Sequence, residues 1–276
     1  MEVFIMKKIL ICISLIAIIL ILHSCSQNYE LINNIELKFK RDAYEISNDG
    51  VITIFYGDNQ NTAIVPVDYD VSERYADRIN FYITDIKTAV CYSGIDGQSS
   101  VKVIFSDDKG QNWTSVDIPG TDDGFYLFRN VGFINKNDGW IVLGGDGWMG
   151  NQYNFIYQTY DGGETWVEIK NLNDVYTGYM TCAAFANVDT GIVCFRYSEE
   201  YLSYVYRTEN KGETWEKVNI DLPAEYDGCR GTITSIDFYG KKGILYIDLY
   251  NDISNETVTI TMETNDYGKT WHLSHV

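Results

Sequence analysis

The segment Gly144-Gly145-Asp146-Gly147-Trp148-Met149-Gly150 gathers residue types that a recognition surface needs. Its glycines release the backbone, Asp146 offers hydrogen-bond acceptors, and Trp148 offers a broad apolar plane. Four further candidates stand in other connecting segments: Tyr126, Tyr179, Tyr226 and Arg230. Rings beside carboxylates suit a sugar, whose apolar face stacks while its hydroxyls donate to the acids. The same set suits a cationic or Tyr-rich protein surface. The plainer alternative is that the tyrosines pack and the acids only solvate loops.

Other chemistries are poorly provided for. The three histidines are His23, His272 and His275, and two of them close the chain, so no Ser-His-Asp arrangement is legible. No zinc-ligand spacing occurs, and no metal is expected. Gly144–Gly150 lacks the Lys-Ser/Thr and following helix of a phosphate loop, and no cofactor is expected. A glycosidase needs two carboxylates at a set separation, and 39 Asp and Glu are too many for the sequence to nominate a pair. The formal net charge of −18 excludes nucleic acid as a partner, which needs a basic footprint. It also weighs against broad adhesion to anionic lipid headgroups. With 22 Tyr, only 3 Pro and 45% hydrophobic residues, the composition is that of a globular, strand-rich chain.

Elements that position these candidates emerge from an internal repeat. Four segments share a hydroxyl residue, then Asp or Asn two places on, Gly four on and Trp seven on: SDDKGQNW from Ser106, TYDGGETW from Thr159, TENKGETW from Thr208 and TNDYGKTW from Thr264. Their starts are 53, 49 and 56 residues apart, a near-constant period that marks a repeat architecture. Each segment lies between two strand-like runs and must reverse the chain. Gly110, Gly163, Gly212 and Gly268 can take positive φ. Asp108, Asp161, Asn210 and Asp266 can accept from turn amides, helped by the hydroxyls of Ser106, Thr159, Thr208 and Thr264. Trp113, Trp166, Trp215 and Trp271 can then cover the hairpin. A second element precedes each turn: Phe81, Phe133, Phe185 or Phe238, a polar turn, and an apolar run such as Gly191-Ile192-Val193-Cys194-Phe195. Four short strands per repeat are thereby expected.

The repeated segments resemble the Asp box, or BNR repeat, of the sialidase-like propellers, over roughly residues 78–273. The resemblance implies an all-β fold, a β-propeller of four-stranded antiparallel blades, with the boxes on a rim away from the functional face. Four blades are clear; the run-up, with strand-like stretches at 35–39, 51–56 and 62–67, makes five the favoured count. Sialidases of this family carry an arginine triad and an Arg-Ile-Pro motif. Here the nearest match is Arg78-Ile79-Asn80, without the proline. The repeat grammar also looks like that of photosystem II assembly factors and sortilin-type receptors, which act through protein contacts. The expectation is therefore a non-enzyme: a protein-binding or assembly module. A carbohydrate-binding surface is the first alternative and a sialidase-like hydrolase the second.

At the N-terminus, Lys7 and Lys8 precede an apolar run of 14 residues from Ile9 to Leu22, too short for a membrane span of about 20 and right for a signal-peptide core. Leu22-His23-Ser24-Cys25 resembles a bacterial lipobox, which implies cleavage before Cys25 and lipidation of its thiol. Translation from Met6 would remove the odd Glu2. The expected organisation is a signal peptide over 1–24, a lipidated Cys25 with tether over 25–34, and one propeller over 35–276. Such a protein is exported and held to the cell envelope, facing outward, with membrane contact through its lipid and a protein or glycan as ligand. Four cysteines remain in the body: Cys91, Cys182, Cys194 and Cys229. Cys182 and Cys194 flank a hairpin centred near Val188, and an exported chain allows them a disulfide.

Overall fold

A computed structural model describes residues 43–57, 61–68, 79–93, 99–122, 124–169, 172–196 and 201–274. The signal segment, Cys25, the tether, the expected strand at 35–39 and Arg78 lie outside the described residues. The chain divides into two units, Met1–Lys38 and Phe39–Val276, and the second carries everything that follows. Among the described residues no helix is long and apolar enough to cross a membrane.

Five antiparallel sheets succeed one another, each made of strands consecutive in sequence. The first has three strands, β1 (Tyr44–Ile46), β2 (Ile52–Tyr56) and β3 (Asn61–Val65). The second holds β4 (Asn80–Ile83), β5 (Thr88–Tyr92), β6 (Lys102–Ser106) and β7 (Thr114–Asp117). The third holds β8 (Tyr126–Phe133), β9 (Gly139–Trp148), β10 (Asn151–Thr159) and β11 (Val167–Ile169). The fourth holds β12 (Met180–Phe185), β13 (Gly191–Phe195), β14 (Tyr204–Thr208) and β15 (Glu216–Val218). The fifth holds β16 (Arg230–Tyr239), β17 (Lys242–Asn251), β18 (Glu256–Thr264) and β19 (His272–Leu273). One short helix, α1 (Leu172–Val175), enters the connection from the third sheet to the fourth.

Each sheet meets the next in chain order. Tyr56 Oη and Thr88 Oγ1 share a hydrogen bond of 2.8 Å between the first and second sheets. Tyr82 Oη donates to the Phe133 carbonyl at 2.8 Å, from second to third. The Ala183 amide donates to Asn130 Oδ1 at 3.1 Å, and the Ile233 amide to Ser203 Oγ at 3.0 Å, from third to fourth and fourth to fifth. Sequential four-stranded meanders packed side by side are a β-propeller. Central strands β5 and β13 are buried at every position, because neighbouring sheets cover both their faces. Full burial of each such Val or Ile contributes on the order of 1.5–3 kcal/mol.

The aromatic element before each repeated turn has a packing reason. Phe133, Phe185 and Phe238 lie directly across from Gly139, Gly191 and Gly243 in the ladder. A Cβ on any of these glycines would overlap the opposing ring, so the phenyl covers a residue that has no side chain. The second sheet departs from the pattern: Ile83, not the expected Phe81, faces Thr88. Phe81 instead stacks on Tyr44 of the first sheet, with centroids 3.8 Å apart.

The first blade shows three strands among the described residues, with β1 at 44–46, and the expected strand at 35–39 lies outside them; one further expectation is corrected. The disulfide is not formed: Cys182 and Cys194 are buried free thiols, as are Cys91 and Cys229. Cys182 and Cys194 are nonetheless direct cross-strand partners. Burial, and then the neighbouring Cys182 thiol, push the Cys194 thiol well above its ordinary value.

Candidate functional site

The third sheet shows how its two ends are specialised, because β10 joins the repeated turn at 159–166 to a projecting hairpin at 146–153. At the turn end, the Thr159 hydroxyl donates to Asp161 Oδ1 at 2.8 Å and accepts from the Gly163 amide at 2.9 Å. Asp161 also accepts from the Thr165 amide at 2.9 Å and the Thr165 hydroxyl at 2.6 Å. Ser106–Asp108, Thr208–Asn210 and Thr264–Asp266 repeat the hydroxyl-to-side-chain bond at 2.8, 3.0 and 2.7 Å. These bonds hold the acids ionised: the Thr165 hydroxyl and amide lower the Asp161 carboxyl to about 2. Desolvation is the largest single influence at Asp266 and opposes the shift, but the bonds from Thr270, Thr264 and the Lys269 amide together prevail and leave it at about 2 as well.

The glycine of each turn does more than supply positive φ. Gly110, Gly163, Gly212 and Gly268 have φ of 79°, 101°, 84° and 77°. A Cβ there would press on Ala63, Phe105, Ile169 and Ile192 respectively. Each contact belongs to the preceding sheet, so the glycine is also where one blade abuts the next. Trp166, Trp215 and Trp271 are buried, and Trp166 and Trp271 donate Nε1–H to the carbonyls of Gly163 and Gly268 at 3.0 and 3.2 Å. Trp113, packed against the three-stranded first sheet, is only half-buried. Lys87 adds a cross-blade tie: fully buried, it donates to the Gly162 carbonyl at 2.7 Å, pairs with Asp107 at 2.9 Å and sits 4.5 Å from the centre of the Phe133 ring. This end is committed to holding the fold.

The opposite end is built to project. Trp148 pairs with Asn151, leaving Met149 and Gly150 as a two-residue loop with φ of 48° and 86°. Positive φ at both positions is the signature of a type I′ hairpin, whose twist matches the strands it joins. The hairpin is latched at its base by two buried carboxamides. Gln152 Nε2 donates to the Gly145 carbonyl at 2.9 Å, and Gln152 Oε1 accepts from the Met180 amide at 3.1 Å. Asn154 Nδ2 donates to the Gly178 carbonyl at 3.1 Å, and its amide donates to Asn173 Oδ1 on α1 at 2.8 Å. Tyr179 lies across Gly147, where a Cβ would overlap its hydroxyl end.

Strand alternation then separates two faces of the hairpin. Gly147, Gln152 and Asn154 look toward the latch. Asp146, Trp148 and Tyr153 look away from it. Trp148 is 77% exposed and Tyr153 67%, and Asp146 is exposed beside them. Three of the expected candidates, Asp146, Trp148 and Tyr179, are thus brought to one element. Tyr153, Gln152 and Asn154 had no signal in the sequence beyond strand alternation. Tyr126 is corrected: it is buried against Phe155 edge-on, with centroids 5.7 Å apart, and is no surface ligand. Burial raises its hydroxyl pKa, with Glu168 and Asp122 adding to the effect. Tyr226 sits in a short 3₁₀ turn, Ala224–Tyr226, partly packed on the core of the last two blades. Arg230 is paired with Asp252 and lies 5.5 Å from the centre of the Tyr250 ring. No contact joins either residue to the Trp148 hairpin among those described. Among the described residues no group of three or more His, Cys, Asp and Glu could hold a metal ion.

No family model and no curated protein matches this chain. Solved structures do. A protein of unknown function from Dyadobacter fermentans aligns with 13% identity and a TM-score of 0.51, over 82% of this chain and 68% of that one. An endo-arabinase from Bacteroides thetaiotaomicron aligns with 10% identity and a TM-score of 0.46, over 72% and 79%. A polysaccharide lyase acting as an ulvan lyase aligns with 13% identity and a TM-score of 0.46, over 84% and 70%. At such identities the likeness is one of fold, and the fold is the propeller. The expectation of a non-enzyme is corrected by this comparison: the solved structures with this likeness of fold include an endo-arabinase and a polysaccharide lyase.

Proposed function

We propose that this chain is an Asp-box propeller that recognises a carbohydrate through the outward face of its β9–β10 hairpin, with Trp148 as the stacking plane. The observation that carries the reading is a 77% exposed Trp on a hairpin whose base is fixed by buried hydrogen bonds. With Met149 and Tyr153 also exposed beside it, Trp148 forms part of a contiguous apolar patch of the kind that marks a binding site. It loses little entropy on binding, because the backbone beneath it is already ordered. Covering one indole face removes on the order of 100 Å² of apolar surface, worth about 2–3 kcal/mol. Asp146 and the Tyr153 hydroxyl supply polar partners for sugar hydroxyls at the edge of that plane. One plane with a few hydrogen bonds supports dissociation constants of roughly 10 μM to 1 mM.

The test is a glycan array probed with the full-length protein and with Trp148→Ala, each preparation also assayed for new reducing ends. Saturable binding that disappears in Trp148→Ala supports the reading. Binding indifferent to that substitution overturns it. Release of reducing ends makes the chain a glycan-cleaving enzyme. Silence throughout leaves a protein as the ligand of this face.

We further propose that the propeller is lipid-anchored through Cys25 on the extracytoplasmic side. The support is Leu22-His23-Ser24-Cys25 after the 14-residue apolar run, all outside the described residues. Labelled palmitate should enter the wild-type protein and not Cys25→Ala; equal labelling of both removes the proposal.

A further inference from the structure

The elements that build the Trp148 face carry a one-sided charge. Residues 143–155 hold Asp146 and no Lys or Arg, and residues 172–180, which latch the hairpin, hold Asp174 and no Lys or Arg. Arg129, on β8, is buried and donates to Ser93 Oγ. Arg196, exposed after β13, is tied through its backbone amide to the Tyr179 carbonyl at 2.8 Å. Asp146 accepts from the neighbouring Gly147 amide at 2.9 Å, which aims one oxygen at the backbone and leaves the other to solvent beside Trp148. The whole chain adds a net charge of −18.

We infer that the Trp148 face selects glycans without carboxylate or sulfate groups, and binds most tightly those that carry a free amine. This inference rests on the carbohydrate reading above and names the substrate class of the same site. A uronate or sulfate stacked on Trp148 meets Asp146, and neither residues 143–155 nor residues 172–180 supply a cation to offset the repulsion, while an ammonium on the sugar edge meets an opposite charge. For exposed charges that difference amounts to about a few-fold in affinity for each charge met. Salt at 0.15 M shortens its range to roughly 8 Å, so only charges on the stacked residue and its neighbours count. Hydroxyl recognition by the carboxylate remains for neutral sugars.

The experiment is calorimetric titration of the full-length protein with four oligosaccharides of equal length: β-1,4-linked glucosamine, N-acetylglucosamine, glucose and galacturonate. The expected order is glucosamine tightest, the two neutral chains weaker, and galacturonate weakest by about tenfold or more. Asp146→Asn, which keeps an acceptor oxygen and removes the charge, should weaken the glucosamine chain about three- to tenfold and flatten its salt dependence, narrowing the gap between glucosamine and the neutral chains. Trp148→Ala keeps the charge and should abolish all binding at 0.15 M salt. Galacturonate binding as tightly as the neutral chains overturns the inference while leaving the carbohydrate reading intact. Glucosamine binding that survives Trp148→Ala is attraction to the net charge, and overturns it too. No binding to any probe overturns the carbohydrate reading and the inference with it.

Discussion

The two ends of β10 use the same residue types to opposite purpose. At one end stand Asp161, Gly163 and Trp166; at the other, Asp146, Gly147 and Trp148. Asp161 is saturated by the hydroxyls and amides of its own turn, whereas Asp146 takes only the Gly147 amide among the bonds described. Trp166 is 5% exposed and bonded to the Gly163 carbonyl; Trp148 is 77% exposed. A neighbouring blade presses on Gly163, while nothing lies within 4 Å of a Cβ placed on Gly150. What separates a folding device from a recognition device is therefore the neighbour, not the residue. The repeated turn has the preceding blade to lean on; the hairpin is held along one face by Thr177 and Tyr179 and leaves Trp148 exposed on the other.

The comparison breaks most sharply at the two tryptophans. Trp166→Ala should cost about 3–5 kcal/mol, the usual range for a large aromatic removed from a core. Urea unfolding should show the loss as a lower midpoint at constant slope. A cost below about 1 kcal/mol would mean that the turn end is not the structural one. Gly110→Ala comes next. Its Cβ would overlap the Cβ of Ala63, which is fixed to backbone and cannot swing aside, and φ is 79°. The sum of overlap and backbone strain should reach about 2–4 kcal/mol. Gly150→Ala shares the positive φ of 86° but meets empty space, and should cost only about 1 kcal/mol. Equal costs at the two glycines would show that conformation alone, and not blade contact, selects glycine in the repeated turns.

Much of the turn end was legible in the sequence because each residue type there answers a local demand. Positive φ, unsatisfied turn amides and an uncovered hairpin name Gly, Asp or Asn, and Trp almost uniquely. The contact from Gly110 to Ala63 was not legible, because it joins residues 47 apart that only the blade order brings together. The register of Cys182 against Cys194 was readable from hairpin symmetry, but their remaining thiols was not, since pairing of strands does not fix oxidation. At the hairpin end, Trp148 announced itself by having no turn to cover. Tyr153, Gln152 and Asn154 did not, because in Asn-Gln-Tyr-Asn-Phe only the pleat decides which side chain latches and which projects. Tyr126 failed as a candidate for the same reason: a loop-flanking position says nothing about whether Phe155 waits beside it.

A smaller effect sharpens the contrast through pH. Asp161 and Asp266 titrate near 2 in the folded chain, below the unfolded value of about 3.9. Between those values the unfolded chain binds more protons, so stability rises with pH there. The contribution is complete above about pH 4 and disappears as pH falls toward 2. Asn210, which accepts from the Thr208 hydroxyl at 3.0 Å and donates Nδ2–H to the Thr214 hydroxyl at 2.9 Å without a charge, shows that a carboxamide fits the turn. Asp161→Asn should therefore leave neutral-pH stability close to wild type and flatten the fall of the unfolding midpoint between pH 4 and 2. An unchanged slope would mean that Asp161 does not carry that part of the acid response.

The smallest expected change in stability is the most informative for function. Trp148→Ala removes the largest exposed apolar plane of the hairpin but none of the bonds that Gln152 and Asn154 make to the latch. The folded state gains little from an indole already in water, so stability should move by no more than about 0.5 kcal/mol. Thermal unfolding run beside the glycan titrations separates the two roles. A stable Trp148→Ala protein that no longer binds sugar assigns the hairpin to recognition. A protein destabilised by more than about 1 kcal/mol would mean that the indole packs on something, and the contrast between the ends of β10 would be one of degree rather than of kind.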